Sequence, residues 1–409
     1  MRRTRRNPWD AVLKVIQRLR AGGHVALLAG GCVRDRLLGH APKDYDVVTD
    51  AVPERVLELF PRGRKVGAKF GVILVRQFGH DFEVATFRAD GPYSNGRRPD
   101  AVRFGSDLDD ARRRDFTVNG LFLDPIEDRI IDHVGGRKDI EARIVRTIGE
   151  PELRFAEDHL RMLRAVRFSA RLGFTIEPET ADAIRALAHN LGTISPERIW
   201  MELELILTDP TRAHGWELLI KAGLRSHLST AWPPTPAADS TILARLSALS
   251  TEPITPALAL ASVLEGLDPT AVPAVCGSLR LSNKLSKTVQ WLLASLQALH
   301  AEHTLDLAAL KTLMADDAWA DLLELFRADL AAKTLSPAPY DAIKARAEAI
   351  PKDRVAPPPL LDGDRLTAMG LEPGPRMGEI LAAVYREQLN ENLTTPQHAE
   401  ALARQLIGE

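Results

Sequence analysis

The stretch Lys43–Thr49, KDYDVVT, decides how the chain is read. Asp44 and Asp46 stand two apart in a run of β-branched and aromatic residues that favours a strand, and i, i+2 side chains of a strand share a face. Two carboxylates pointing into one space raise a pKa unless a cation or a ring of donors answers them. Just upstream, LLAGGCVRDRLLG (Leu27–Gly39) predicts an apolar strand that stops at Gly30-Gly31 and a helix that starts at once. Bare backbone N–H groups, a positive helix end and Arg34 one turn in would cradle a phosphate; a plain strand-to-helix connection also fits the two glycines. A third acid, Glu83, lies on a later predicted strand, DFEVATFR, sharing a face with Ala85 and Phe87. If Asp44, Asp46 and Glu83 converge, they offer only hard oxygen ligands, which suit Mg²⁺ bridged to substrate phosphates and an in-line displacement at phosphorus. The residues alone also allow a solvated edge strand for the Asp pair, and a surface position or an ion pair for Glu83.

Composition narrows the classes. The chain has 409 residues, 45% of them hydrophobic and 26% charged, which allows two or more globular domains and argues against disorder. Net charge is only -2, so any nucleic-acid partner must be met by a local basic patch. Two cysteines far apart, Cys32 and Cys276, exclude a zinc ribbon or a disulfide framework and fit a reducing cytoplasm. The start MRRTRRNPWDAVLKVIQRLR is broken by Asp10, Lys14, Gln17 and Arg18, so no export signal is expected. Its arginines Arg2, Arg3, Arg5 and Arg6 read as a solvated terminus. No apolar run of 18 residues predicts a membrane span.

The pattern changes near residue 150. Before it, HVALLAGG, DYDVVT, GVILVRQF and FEVATF read as strands, with helices from about Val33 to Leu38 and over PERVLELF; this is a small α/β domain. After it, strand signals vanish and amphipathic helices begin with AEDHLRMLRAVRFSARLGF and PETADAIRALAHNL. Pro-rich breaks at Thr230–Ser240 and Val355–Gly363 set further boundaries. The expected domains are a head (1–150), a helical neck (151–228), a helical body (229–354) and a helical tail (355–409).

GGCVRD, DYDVVT, RRDFTVN and EDHLRMLRA follow one another in an order and spacing that resembles the class II tRNA nucleotidyltransferases and bacterial poly(A) polymerases, over about residues 20 to 225. The segment FRADGPYSNGRRPDAVRFGSDL resembles the flexible loop of the CCA-adding branch, and DHVGGRKD (Asp132–Asp139) and ISPERIWMELELIL (Ile194–Leu207) resemble later family motifs. The resemblance implies an α+β fold: an N-terminal polymerase β-like nucleotidyltransferase head followed by an all-helical neck, body and tail. It implies that Gly30, Gly31 and Arg34 hold the nucleotide's phosphates, that Asp44 and Asp46 bind the metal, and that Arg114, Asp115 and Asn119 contact the sugar and triphosphate. Gly120 departs from the Ala usual after that Asn, a loss of one methyl group that should change packing only slightly.

Asp158 and Arg161, three apart, are expected on one helix face, where an acceptor and a donor together read the edge of a base. Cytosine and adenine both present an amino group beside a ring nitrogen acceptor, so one such pair accepts C and A and rejects U and G. Arg164 and Arg167 continue the stripe toward phosphates or the RNA backbone. In the tail, Gly374-Pro375 opens a helix that could meet a tRNA phosphate or serve as a plain cap. The expected partners are tRNA, CTP and ATP, with no DNA and no membrane, the oligomeric state being open. The long loop after Arg88 and VGAKFGVILV, which lacks paired basic residues before Phe70, favour CCA addition; poly(A) polymerase stands second and an A-adding specialist third. A non-catalytic RNA-binding protein on the same fold is the reading from another class. His80-Asp81 opens the Glu83 strand without the helical ligands of a phosphohydrolase, so no such domain is expected.

Overall fold

The computed structural model describes residues 7–66, 71–91, 102–232, 236–251, 253–301 and 305–408. Helix α1 (Pro8–Ala21) leads into strand β1 (Ala26–Ala29), α2 (Gly31–Leu37), β2 (Asp46–Thr49) and α3 (Pro53–Leu59), which has Pro at its first position. Then come β3 (Arg64–Lys65), the hairpin β4 (Val72–Gln77) and β5 (His80–Thr86), β6 (Arg88–Asp90), β7 (Val102–Phe104) and α4 (Asp107–Arg112). A 3₁₀ turn over Thr117–Asn119 precedes β8 (Leu121–Asp124) and β9 (Arg129–Asp132), and α5 spans Gly136–Ala142. Seven strands form one mixed sheet in the order β3-β4-β5-β2-β1-β8-β9; the β2–β5 pair is parallel and the other pairs are antiparallel. One face carries Leu27, Ala29, Val48 and Phe122 under Phe87 and Ala111. Every second residue of these central strands therefore belongs to one core.

The strands and helices expected in the head are present, and β8 and β9 join them. Strand β2, however, begins at Asp46, so Asp44 lies in the loop before it and not on a strand face. The reason is register: Asp46 is opposite Ala29, the last residue of β1, and Gly30 at φ 73° turns the chain away, leaving residues before Asp46 without a partner on that side. Strand structure also persists past the head. Strand β10 (Ile144–Val145) pairs in parallel with β11 (Thr175–Ile176) across residue 150, where only helices were expected.

The neck motif is interrupted. Helix α6 spans Pro151–Glu157 and α7 spans Leu160–Leu172, so Asp158, with φ −155° and ψ 101°, sits at the break and shares no helix face with Arg161. Its carboxylate accepts the Leu160 N–H at 3.1 Å, a local bond that competes with helix continuation. Helices α8 (Pro178–Leu187) and α9 (Pro196–Leu207) follow. Gly136 has its own steric reason: a Cβ there would lie 2.2 Å from the Thr117 carbonyl oxygen. A methyl on Gly120 would meet Val134 Cγ2 at 2.7 Å, so the missing methyl leaves space that Val134 already uses.

The chain divides into two compact units, Met1–Ile206 with His214–Ser229, and Leu207–Ala213 with Thr230–Glu409. The second is helical. The Pro-rich break expected at Thr230–Ser240 gives way to a helix from Pro236 to Ala248, because Pro is tolerated in a first turn, whereas Val355–Leu361 is irregular as expected. Helix Pro256–Leu264 is buried at all nine positions but for its first residue. Arg245, 1% exposed, meets Asp329, which is fully buried and also binds His300 at 2.8 Å and Lys333 at 2.9 Å. Desolvation would raise the Asp329 carboxyl, but these donors hold it well below the usual carboxylate range. Leu361, Leu366, Ile380, Val384, Ala399 and Ala403 form a separate small core near the C-terminal end. Among the described residues no helix is long and apolar enough to cross a membrane. Asp329→Ala leaves Arg245 only Glu265 and the Ser262 carbonyl and should cost about 1–3 kcal/mol, read as a lower urea midpoint.

Candidate nucleotide and metal site

Adjacent strands bring the acids together. Val47 pairs with Val84 in the parallel ladder, which sets Asp46 beside Glu83, and Asp46 stands opposite Ala29, the last residue of β1 before the Gly30-Gly31 turn. Desolvation raises the Asp46 carboxyl; the charge of Glu83 and, more weakly, that of Asp44 add to it, while Arg114 offsets them. Among the described residues none of Asp44, Asp46 and Glu83 has an ion-pair partner, and all three are exposed. Among those residues, too, no group of three or more His, Cys, Asp or Glu is close enough to chelate an ion. Two carboxylates completed by phosphate oxygens and water would suit a hard cation, with the charge of Glu83 close to Asp46.

Arg114 is placed by α4. Its guanidinium donates to the fully buried Asp110 at 2.9 and 3.1 Å, to the Asn119 carbonyl at 3.3 Å, and lies 5.3 Å from the Phe122 ring centroid. A Cβ on Gly30 would sit 2.9 Å from Arg114 Nη1, so that glycine answers both the positive φ and this close approach. Arg34, expected to face the phosphates, is only 4% exposed. Its guanidinium donates to Asn119 Oδ1 at 2.6 Å and to Asp35, so in this conformation it orients Asn119.

From Asn119 a polar chain runs into the neck helices. The Asn119 amide donates to Asp115 at 3.1 Å; Asp115 accepts Arg164 at 2.7 and 2.8 Å; Arg164 also reaches Glu202, which binds Arg167 at 2.6 Å. Desolvation pushes Asp115 up, but the Arg164 guanidinium and the Asn119 amide outweigh it and hold the carboxyl at about 2. Arg164 is correspondingly held above its usual range by Asp115 and Glu202, against desolvation. Arg34, Arg164 and Arg167 all lie over the Phe168 ring, at 5.3, 5.3 and 4.4 Å.

The base-reading pair is arranged otherwise than its spacing suggested. Asp158 binds Arg198 at 2.7 Å, while Arg161 binds Glu157 at 2.6 Å and the Arg154 carbonyl at 2.7 Å. Arg154 also pairs with Glu157 and donates to the carbonyls of Arg113 and Arg114 at 2.8 and 2.9 Å, tying α6 to the turn that carries the RRD motif. Sequence reading missed Asp110, Glu157, Arg198 and Glu202. Asp110 was available as the i−4 partner of Arg114, and Glu157 as the first residue of the EDHLR segment; nothing in the spacing pairs Arg198 or Glu202 with residues about 40 positions away. A cavity of about 700 Å³ lies alongside, lined by Arg112, His133, Arg146, Glu150, Arg154 and Glu157, and takes in neither the acids nor the glycines. Of the sequence motifs, residues 92–101 of the loop after Arg88, Gly67–Phe70 and Arg2–Arg6 lie outside the described residues.

A glycine turn, unpaired carboxylates on neighbouring strands and a helical neck define the class of nucleotidyltransferase heads. Residues 26–146 match the Poly A polymerase head domain, and residues 250–403 match tRNA nucleotidyltransferase domain 2. The structure of the Bacillus stearothermophilus CCA-adding enzyme in complex with CTP superposes with a TM-score of 0.79 at 31% identity, covering 98% of both chains. The chain belongs to the CCA-adding enzyme family. The CCA-adding enzymes of Geobacillus stearothermophilus and Bacillus subtilis are 46% and 41% identical to it over 222 and 217 residues. Those alignments cover 54% and 53% of this chain and 55% and 54% of the relatives, so the matched sequence spans about half the length of these proteins. The Thermotoga maritima CCA-adding enzyme complexed with tRNA shares the fold, with a TM-score of 0.67 at 21% identity over 99% of this chain and 96% of that one.

The Asp115 carboxyl gives a signed prediction. Its folded value of about 2 lies below the ordinary 3.8, so it stabilises the fold above 3.8, and that contribution is lost as pH falls through 3.8 toward 2. Asp115→Ala should cost about 3 kcal/mol at neutral pH and flatten the acid limb of a stability-versus-pH curve measured by urea unfolding.

Proposed function

We propose that the chain adds CCA to the 3′ end of tRNA from CTP and ATP, without a nucleic-acid template. The observation that carries this reading is the set of carboxylates at the Gly30-Gly31 turn, unpaired among the described residues, in a chain similar over 98% of its length to a CCA-adding enzyme in complex with CTP. Asp44 and Asp46 would hold Mg²⁺, the hard cation their oxygens suit best in company with phosphates. When bound, that ion supplies charge neutralisation at the α-phosphate and lowers the pKa of the attacking RNA 3′-hydroxyl.

The chain's own residues do the placing. The glycine turn brings backbone close to the triphosphate, and Arg114, fixed by Asp110, offers charge to the departing pyrophosphate. Asn119, held between Arg34 and Asp115, is set to contact the sugar. Asp158 and Arg161 read the base once the incoming nucleotide competes for the bonds that Arg198 and Glu157 now make. Arg164 and Arg167, braced by Glu202, hold that end of the neck in place. A tRNA substrate places the work in the cytoplasm, and the helical second unit supplies surface for the RNA backbone. Addition of A residues alone is the second reading, favoured by the match of the head to that of poly(A) polymerase.

A tRNA ending before its CCA, supplied with CTP and ATP separately and together and then sequenced, decides between them. Three residues in fixed order support CCA addition; a run of A on any RNA contradicts it. Asp46→Ala should lower addition by at least about 10³-fold while leaving RNA binding intact, since it removes a carboxylate on which the ion depends. Asp46→Asn should raise the Tm of the metal-free protein, because it relieves the crowding with Glu83 and Asp44.

A further inference from the structure

The loop between α2 and β2 carries Asp44 without a ladder to hold it, because β1 and β2 pair only from Asp46 onward. Between the two acids stands Tyr45, half-buried, which lines a cavity of about 240 Å³ together with Leu28, Cys32, Pro42 and Leu123. Leu28 pairs with Val47 and so belongs to the face of the sheet opposite Asp46 and Ala29. Tyr45 thus faces a cavity shared with residues from the back of the sheet. With a cavity on one side, the ring is not located by close packing all round. Trp9 of α1 and Arg36 line the same cavity, and the Trp9 ring centroid lies 5.8 Å from that of Tyr45 at an interplanar angle of 59°.

Trp9 is itself fixed twice. Its backbone N–H donates to the capping Asn7 side chain at 3.1 Å, and the Arg36 guanidinium lies 4.8 Å from its ring centroid. Arg36 in turn donates to Asp128 at 2.9 Å, at the tight turn between β8 and β9 where Asp128 has φ 49°. A line of contacts therefore runs from that hairpin through Arg36, Trp9 and Tyr45 to Asp44 and Asp46. We infer that Trp9, braced by Arg36, is a positioning residue for the divalent-cation site: it fixes Tyr45 and with it the separation of the two carboxylates. This rests on the reading that Asp44 and Asp46 hold the metal. Residues that orient metal ligands from behind commonly change affinity by about 10–100-fold when removed.

The test uses the full chain and Mn²⁺ as probe, with free Mn²⁺ measured by electron paramagnetic resonance in the presence of a non-hydrolysable CTP analogue. Trp9→Ala should weaken Mn²⁺ binding about tenfold, Trp9→Phe should restore it to within about twofold, and RNA binding measured on a filter should not change in either. Arg36→Met, at a side chain 42% exposed, loosens the brace without threatening the fold and should weaken Mn²⁺ about twofold to threefold. Should Trp9→Ala fail to fold, Tyr45→Leu carries the same expectation of about tenfold weaker Mn²⁺. Wild-type Mn²⁺ affinity in Trp9→Ala or in its Tyr45→Leu replacement, or equal weakening in Trp9→Ala and Trp9→Phe, overturns the inference. Asp46→Asn separates the two levels: it should abolish Mn²⁺ binding, and if it binds Mn²⁺ normally the metal reading itself falls.

Discussion

The arrangement turns on like charges placed next to one another at a strand end. Parallel pairing of β2 with β5 puts Asp46 beside Glu83, and the loop before β2 adds Asp44. A fold gains nothing from such crowding, and the Asp46 carboxyl is raised by desolvation first and then by the charges of Glu83 and Asp44. Elsewhere in the same unit acids are matched with care: Asp110 has two arginines, Asp115 has Arg164, and Glu202 has Arg164 and Arg167. The contrast is the physical argument for function, because unanswered charge persists where a ligand answers it.

Around that centre the protein trades mobility for placement. Gly30 lets Arg114 approach the turn, Asp110 aims its guanidinium, and Arg34 spends its donors on Asn119. The polar chain from Asp35 to Arg167 crosses from α2 through the RRD segment to α7 and α9, so hydrogen bonds tie the glycine turn and the RRD segment to the neck helices. Each group between Asp35 and Arg167 in this chain is bonded on both sides, which is what makes burial of so much charge tolerable.

Much of this is legible in the sequence. Short apolar, β-branched runs marked the central strands, and the Gly-Gly turn and the Asp-Tyr-Asp run marked the site, because strand propensity and glycine stereochemistry are local. The ends of elements were less so. Asp44 falls off the strand because Gly30 turns β1 away, and Asp158 falls off the helix because its own side chain caps the next turn; neither follows from propensity. Strands β10 and β11 are two residues each and leave no periodic trace. The partners of Asp158, Arg161 and Arg164 were out of reach for a different reason: Arg198 and Glu202 lie on another helix, and only tertiary packing brings them near.

The central claim is that Asp44 and Asp46 grip a divalent ion against a triphosphate seated on the glycine turn. Anomalous diffraction from crystals grown with Mn²⁺ and a non-hydrolysable CTP analogue tests it most directly. The account predicts an anomalous peak within bonding distance of both carboxylates and of a phosphate oxygen. A nucleotide seated with no peak there, or a peak held by other side chains, would contradict it.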